Sequence, residues 1–220
     1  MNDLVIYHHL GLGDHFICNG LVREWAAKYG RVSLFCKPHN LATVKQMYSD
    51  LDISFLVGDD CFANTIIPSL KNIDVLRVGF DNLTSKEPFD QQFYSLAQVD
   101  FTKRWTSFKV NRDKKKELDL IYQLNLPPKF AILHEDQSRG YKIDRSKINL
   151  PIVRLEKRDG FTMIDWLAVP ELAEEVHVID SSFMFLVDSI KTKSKLHIHR
   201  YSRQNPEWQL PSLRNSWTIL

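Results

Sequence analysis

The chain has few cysteines, and their number and spacing exclude two common kinds of small domain. Only Cys18, Cys36 and Cys61 occur among its 220 residues. An odd number of widely separated cysteines does not form a disulfide framework, and none stands in the close pairs typical of a zinc site. Because apolar residues surround each of them, we expect reduced thiols in the core and no bound metal.

The chain also lacks an excess of charge and a long apolar run. Its 29 lysines and arginines nearly balance its 27 aspartates and glutamates, so we expect no large electrostatic surface for nucleic acid. No apolar stretch approaches the roughly 18 residues that span a bilayer. The first strand pattern begins almost at once, with no basic and apolar signal segment before it. We therefore expect a cytoplasmic protein with no membrane span and no nucleic-acid partner.

A third absence concerns the glycine turn near the N-terminus. Residues 4–23, LVIYHHLGLGDHFICNGLVR, change from an apolar strand pattern to a helical repeat across Gly11 and Gly13. The third glycine of a dinucleotide-binding turn is missing because Phe16 occupies its position, and the Gly-Lys-Ser/Thr of a P-loop is absent. A nicotinamide oxidoreductase is therefore disfavoured. The turn still brings backbone amides to the carboxyl end of a strand, where a ligand can bind and where Asp14 lies.

Strand and helix patterns alternate along the whole chain with short connections. This alternation predicts an α/β protein with mainly parallel sheets and helices on both faces. We expect two small Rossmann-like lobes, residues 1–110 and 129–220, joined by a linker helix within residues 111–128 that Pro127 and Pro128 close. The predicted strands are residues 4–7, 31–36, 52–57, 73–78, 130–134, 152–155, 176–179 and 196–199.

In the second lobe, the most informative stretch is a strand that ends in Asp180-Ser181-Ser182 and is followed at once by a helix. Hydroxyls and free amides at a helix start form a site for an anion such as a diphosphate, because the first amides lack partners and the dipole is positive there. Serine is also a common cap at the start of a helix, so the interpretation of Ser181 and Ser182 as caps without a ligand stays open.

A polar loop, HEDQSRGYKIDR, follows the first strand of the second lobe. Arg139 and Lys142 in this loop have the charge to neutralise a leaving nucleotide diphosphate. The alternative is an exposed basic loop in which Asp136 orients Arg139.

The histidines do not predict a metal site. His8 and His9 are consecutive at a strand end and point to opposite faces, whereas His197 and His199 share a face but have no third ligand nearby in the sequence. We interpret them as core or cleft residues. His15, next to Asp14, is placed to touch a phosphate or a sugar.

In these motifs the chain resembles the heptosyltransferase-like glycosyltransferases of the GT-B fold (glycosyltransferase family 9). The resemblance rests on four stretches in order: the Gly-Leu-Gly-Asp turn, the aromatic segment QQFYSLAQVDFTKRWTSFKV at residues 91–110, the polar loop and the Asp-Ser-Ser turn. It implies a cleft between the two lobes, with Asp14 as the base that acts on an acceptor hydroxyl. It also implies Gly11, Gly13 and His15 on the acceptor or phosphate side, and donor binding by Arg139, Lys142, Asp180, Ser181 and Ser182.

The implied function is metal-independent transfer of a sugar from a nucleotide sugar to a hydroxyl of a glycan or glycolipid. The nucleotide sugar is a co-substrate, and no other cofactor is expected. Ser182-Phe183 replaces the glycine and histidine common in heptosyltransferases, which argues against ADP-heptose as the donor. Two alternatives stay open: a non-catalytic nucleotide- or glycan-binding module with the same cleft, and a structural role for Asp14 as a helix N-cap.

Overall fold

The computed structural model describes residues 3–83, 86–203 and 209–220, and it divides into two compact units, Met1–Asn111 and Arg112–Leu220. Each unit is a parallel β-sheet with helices packed against it, as the alternation of strand and helix patterns predicts. Within the described part of the chain, no helix is both long enough and apolar enough to cross a membrane.

Unit 1 contains a four-stranded sheet in the order β3-β2-β1-β4, and all of its strand pairs are parallel. The chain runs outward through β2 and β3 and then returns to place β4 on the other side of β1. Its elements are β1 (Asp3–Tyr7), α1 (Leu12–Ile17), α2 (Asn19–Ala26), β2 (Arg31–Cys36), α3 (Leu41–Met47), β3 (Ile53–Val57), α4 (Asp60–Ile66), β4 (Asp74–Arg77), α5 (Phe89–Leu96) and α6 (Lys103–Thr106).

The core of unit 1 explains why its first strand is a nearly continuous apolar run. Leu4 to Tyr7 are all buried, because both faces of the sheet are covered. On one face, β1 and β2 pack against α4 and the turn that follows it. This cluster comprises Val5, Tyr7, Leu10, Phe35 and Ala63, with Leu56, Ile66, Ile67, Leu70 and Ile73 around it.

The aromatic segment 91–110 packs within unit 1, against α1 and α2. The buried Tyr94 hydroxyl donates to the Ile17 carbonyl at 3.0 Å and accepts from the Leu21 amide at 3.2 Å. Gly20 permits the close approach of α6, because a Cβ atom there would lie 2.0 Å from the Lys103 carbonyl oxygen. The segment therefore has a packing role in this unit.

Unit 2 contains a five-stranded parallel sheet in the order β6-β5-β7-β8-β9. The chain adds β6 on one side of β5 and then crosses to the other side for β7, β8 and β9. Its elements are α7 (Lys114–Leu124), β5 (Ala131–His134), β6 (Ile152–Arg154), α8 (Ala168–Leu172), β7 (Glu175–Val178), α9 (Ser182–Asp188), β8 (Lys195–Ile198) and β9 (Trp217–Ile219).

Helix α7, which the sequence suggests as a linker, groups with unit 2. Asp113 caps its N-terminus by accepting hydrogen bonds from the amides of Lys115 and Lys116, each at 3.1 Å. Arg112 then pairs with Glu117 in α7 and with Glu171 in α8. This ion-pair network attaches the helix to the rest of the unit, and the division of the chain falls after Asn111.

The prediction for the cysteines is correct for two of the three. Cys18 and Cys36 are buried thiols, and burial raises the pKa of both. The prediction is wrong for Cys61, which is exposed. It is the second residue of α4, whose contact with the sheet is made by Ala63.

Candidate functional site

In each unit there is a position where the order in which strands are added changes from one side of the first strand to the other. It lies between β1 and β4 in unit 1 and between β5 and β7 in unit 2. In open α/β sheets, ligands bind outside the carboxyl ends of the strands at such positions. Most of the site residues that the sequence suggests follow these strand ends, and the two groups are described separately.

In unit 1 the glycine turn places Asp14 in the first turn of α1. Gly11 is the N-cap residue, and its carbonyl accepts hydrogen bonds from the amides of Asp14 at 3.1 Å and His15 at 3.2 Å. A Cβ atom on Gly11 would lie 2.7 Å from Asp14 Oδ2, so glycine leaves room for the carboxylate. Asn40 fixes the approach to the turn by donating to the Leu10 carbonyl at 3.0 Å.

The Asp14 carboxyl group has an unusual proton affinity for an aspartate. Burial raises its pKa from 3.8 to about 7, and the opposing effects of a backbone hydrogen bond at Gly11 and of the Lys37 charge do not cancel this rise. A carboxyl group with a pKa near neutrality is well matched to proton transfer at physiological pH. Asp14 is therefore equipped to act as a general base.

Lys37 and Asp60 lie close enough to Asp14 for their charges to affect its pKa. The Lys37 ammonium pairs with Asp60 at 2.8 Å, and the Tyr7 hydroxyl donates to the other oxygen of Asp60 at 3.0 Å. Asp59 caps α4 by accepting from the Phe62 amide at 2.8 Å. The sequence did not identify Lys37 as a site residue, although its position directly after β2 is a signal that topology could have supplied.

The structure buries the His15 side chain in unit 1. Its side chain is fully buried, and its ring makes an edge-to-face contact with that of His8, with 4.4 Å between ring centroids. Neither ring nitrogen of His15 has a hydrogen-bond partner within the described residues. The side chain faces the core in this structure, so it offers no atom to a phosphate or sugar.

In unit 2 a cavity of about 490 Å³ opens at the carboxyl ends of β5 and β6. The loop after β5 forms one wall, and the residues that follow β6 form the other. Its lining is Leu133, Glu135, Asp136, Gln137, Ser138, Arg154, Leu155, Glu156 and Lys157.

The polar loop beside this cavity is held in shape by two carboxylates. Asp136 accepts hydrogen bonds from Arg139 Nε and the Ser138 hydroxyl, each at 2.6 Å. Glu135 accepts from the Ile143 amide at 3.1 Å. Arg139 is thus oriented by Asp136, as the alternative interpretation of the loop expects, while its guanidinium remains largely exposed. Lys142 is exposed.

The Asp-Ser-Ser turn lies between β7 and α9, and its serines do not act as simple caps. Ser181 is the N-cap residue of α9, but its hydroxyl is hydrogen-bonded to His134 Nδ1 at 2.8 Å and not to a helix amide. Ser182 donates weakly to Met163 Sδ at 3.6 Å. Burial lowers the pKa of His134 to about 4, so this pair joins a neutral imidazole to a hydroxyl at neutral pH.

Asp180 connects this turn to two arginines that the sequence analysis missed. Arg200 Nε donates to Asp180 Oδ2 at 3.3 Å, and Arg203 Nη1 donates to the Asp180 carbonyl at 2.7 Å. Burial raises the pKa of Asp180. Both arginines follow β8, so the carboxyl edge of this sheet has more positive charge than Arg139 and Lys142 alone provide. Their position after a strand was the signal available in the sequence.

No protein-family model matches the chain, and no curated protein matches its sequence. Several solved structures match the chain, and two of them illustrate the similarity in fold. A glycosyl transferase of family 9 from Veillonella parvula superposes with a TM-score of 0.62 at 10% identity, over 100% of this chain and 86% of that one. TibC, an iron-containing dodecameric glycosyltransferase from enterotoxigenic E. coli, gives a TM-score of 0.52 at 11% identity, over 89% and 57%. The chain therefore has the glycosyltransferase family 9-like fold that its motifs suggest.

Proposed function

We propose that this chain is a glycosyltransferase that moves a sugar from a nucleotide sugar to a hydroxyl group of a glycan or glycolipid. The observation that carries the proposal is Asp14, a carboxylate with a pKa of about 7 at the strand-glycine-helix turn of unit 1. The fold shared with glycosyltransferases supports the same reaction class. Asp14 acts as the general base, and Gly11 and Gly13 let the acceptor approach the turn.

The proposed reaction follows from the proton affinity of Asp14. Its carboxylate removes the proton of the acceptor hydroxyl as the oxygen forms a bond to the anomeric carbon of the donor sugar. The bond from that carbon to the diphosphate breaks, and the nucleoside diphosphate leaves with the bonding electrons. Burial is the main cause of this raised pKa, and the nearby charges have smaller effects: Lys37 lowers the pKa of Asp14 and Asp60 raises it.

In this proposal unit 2 binds the nucleotide part of the donor. Arg139 and Lys142 contact the diphosphate, because charge-assisted hydrogen bonds stabilise the negative charge that develops on a leaving phosphate. Ser181 and Ser182 offer hydroxyls beside them. Asp180 contributes by positioning Arg200, to which it is hydrogen-bonded.

The cavity at the carboxyl ends of β5 and β6 is the proposed binding site for the nucleoside of the donor. Glu156 follows the second strand of the sheet, which is where an acidic residue accepts hydrogen bonds from ribose hydroxyls in dinucleotide-binding folds. In unit 1 the residue directly after the second strand is Lys37, which is basic. The nucleoside is therefore assigned to unit 2. The donor base and sugar stay open, with ADP-heptose disfavoured by Ser182-Phe183.

A thermal-shift screen with UDP, GDP, ADP, CMP and dTDP tests the proposal. A nucleotide at about 100 times its Kd should stabilise the protein by about 2.7 kcal/mol, which a melting curve detects readily. Stabilisation by one base and not by the others names the donor class. Stabilisation by NAD(P)H alone would instead support an oxidoreductase.

Transfer is expected to continue in the presence of EDTA. Arginine and lysine side chains meet the charge of the leaving diphosphate in this proposal, whereas a metal-dependent transferase uses a cation held by paired carboxylates. The Asp59-Asp60 pair does not suit that task, because Asp59 caps α4 and Asp60 pairs with Lys37. Steady-state turnover with and without chelator, below the melting temperature, measures the effect. Loss of turnover that only Mg²⁺ or Mn²⁺ restores would place the protein in a metal-dependent class.

The remaining features of the proposal concern partners and location. The substrates are the nucleotide sugar and the glycan or glycolipid acceptor, and we propose a cytoplasmic site of action. The competing function is a nucleotide- or glycan-binding module without turnover. Nucleotide binding without acceptor-dependent release of nucleoside diphosphate would favour that module.

A further inference from the structure

Four imidazole and carboxylate side chains of unit 2 lie together on one face of β7 and β8. Glu175 and His177 alternate along β7, and His197 lies in β8. His199 comes directly after the end of β8 and its ring contacts that of His177, so all four side chains lie on the same side of the sheet. The register pairs His177 directly with His197 across the two strands. The neighbouring strand β7 thus places Glu175 and His177 beside His197, which the sequence spacing alone does not show.

The distances within this group suit a shared ion. One ring nitrogen from each of His177 and His197 and one carboxylate oxygen of Glu175 all lie within 4.8 Å of one another. The rings of His177 and His197 are stacked, with 4.5 Å between their centroids. Zinc bound at about 2.0 to 2.1 Å needs ligand atoms roughly 3.4 Å apart, which a small rotation of the partly exposed Glu175 and His197 can provide.

Hydrogen bonds fix which nitrogen of His177 faces the group. Its Nδ1 lies 2.9 Å from His199 Nε2, and its Nε2 lies 3.2 Å from Glu175 Oε2. His199 Nδ1 is in turn 2.9 Å from the Tyr201 hydroxyl, which accepts from the Asp144 amide at 2.9 Å. A histidine that binds a metal usually has its other ring nitrogen held in this way.

When no ion is bound, the protons along this series of hydrogen bonds have one simple arrangement. The Tyr201 hydroxyl donates to His199 Nδ1, His199 Nε2 donates to His177 Nδ1, and His177 Nε2 donates to Glu175. The direction reverses if an ion takes the lone pair of His177 Nε2. His177 Nδ1 then donates to His199 Nε2, and His199 Nδ1 donates to Tyr201, whose partly exposed hydroxyl turns to solvent. Both imidazoles stay neutral in either arrangement.

We infer that Glu175, His177 and His197 form a binding site for one divalent transition-metal ion of the zinc class. Two imidazoles and one carboxylate are a ligand set that zinc uses when a fourth position is open to water. The charge of Glu175 is shared with Lys195 at 3.8 Å, and this exposed ammonium can move away when a cation binds. The site is separate from the proposed transfer reaction, and its ion links β7 to β8.

The test uses the full chain, freed of metal with a chelator and then titrated with Co²⁺ and Zn²⁺. We expect one ion per chain, a Co²⁺ visible spectrum of the four-coordinate type, and a higher melting temperature with Zn²⁺. Histidine ring ¹⁵N spectra should show His177 changing its protonated nitrogen from Nε2 to Nδ1 on Zn²⁺ addition. This last readout needs no variant and cannot arise from ions on other surface residues.

Variants separate the site from other histidines. His197→Gln and Glu175→Gln each remove a ligand, and Tyr201→Phe removes only the hydroxyl that orients His199. We expect Tyr201→Phe to lower Zn²⁺ affinity about tenfold and the two ligand variants to lower it more. His39→Gln, at an exposed histidine of unit 1, is the matched control and should leave the affinity unchanged. An unchanged His177 ring spectrum, or equal Zn²⁺ affinity in wild type and His197→Gln, would overturn the inference.

Discussion

Asp14→Asn is expected to lower the rate of sugar transfer by about 10²- to 10⁴-fold, which is the usual contribution of a general base. Asparagine keeps the shape of the side chain but cannot accept the hydroxyl proton. The Kd for nucleoside diphosphate should stay nearly unchanged, because the proposed nucleotide contacts are all in unit 2. Initial rates and isothermal titration on the same preparations measure the two effects. Full turnover in the variant would leave Asp14 as a structural residue of α1.

The pH dependence of transfer should identify the same group. The base must be deprotonated to act, so kcat/KM should rise with pH and reach a plateau above about pH 7, the raised pKa of Asp14. The residual activity of Asp14→Asn should not show this rise of kcat/KM with pH. A wild-type profile that is flat between pH 5 and 8 would contradict this assignment.

The contribution of Asp14 to the stability of the folded chain should fall as the pH rises, whereas the rate of transfer should rise. The pKa of Asp14 is higher in the folded chain than its usual value of 3.8, so protonation favours folding. Its contribution is fully present below about pH 4 and is lost as the pH rises through about 7. Above that pH the folded chain must bury a charged carboxylate, which is unfavourable. Asp14→Asn removes this cost, so the variant should melt at a higher temperature than wild type at pH 8 but not at pH 4. A variant that loses activity while gaining stability is typical of a functional residue.

Arg139→Ala and Lys142→Ala should each weaken binding of nucleoside diphosphate by about 1.5 to 3 kcal/mol, or roughly 10- to 150-fold. Binding of the free nucleoside should change little, because neither side chain lines the cavity assigned to it. Titration calorimetry with both ligands measures the difference. Arg31→Ala is a matched control, since Arg31 is also exposed and pairs with a single aspartate, Asp3, in unit 1. Equal losses for nucleoside and diphosphate would place both residues away from the phosphates.

Local sequence pattern was sufficient to predict the framework of both units. The strand Arg31–Cys36 has the bounds that the pattern predicts, and the helix Lys114–Leu124 lies within the predicted range 111–128. Both are predictable because an apolar run, or a cap followed by a helical repeat, is encoded within a few residues. The short α6 was missed, because four residues carry too little periodicity. The edge strand β9 was also missed, because it has only three residues, the last two of which are exposed.

Features that depend on contacts between distant segments could not be predicted. The burial of His15 depends on His8, which lies on the strand end beneath α1. The alignment of Glu175 and His177 with His197 depends on the register of β7 against β8, and a shift of one residue would move these side chains to the opposite face. Sequence spacing contains neither of these relations.

The most direct measurement of the central claim is the release of nucleoside diphosphate from nucleotide sugars when a glycan or glycolipid acceptor mixture is added. The donors are sugar nucleotides of uridine, guanosine, adenosine, cytidine and thymidine, incubated with the intact chain. The account predicts release with one donor class, strongly increased by acceptor and accompanied by transfer of labelled sugar to the acceptor fraction. A chain that binds a nucleotide in the thermal-shift screen but shows no acceptor-dependent release with any donor would contradict the account.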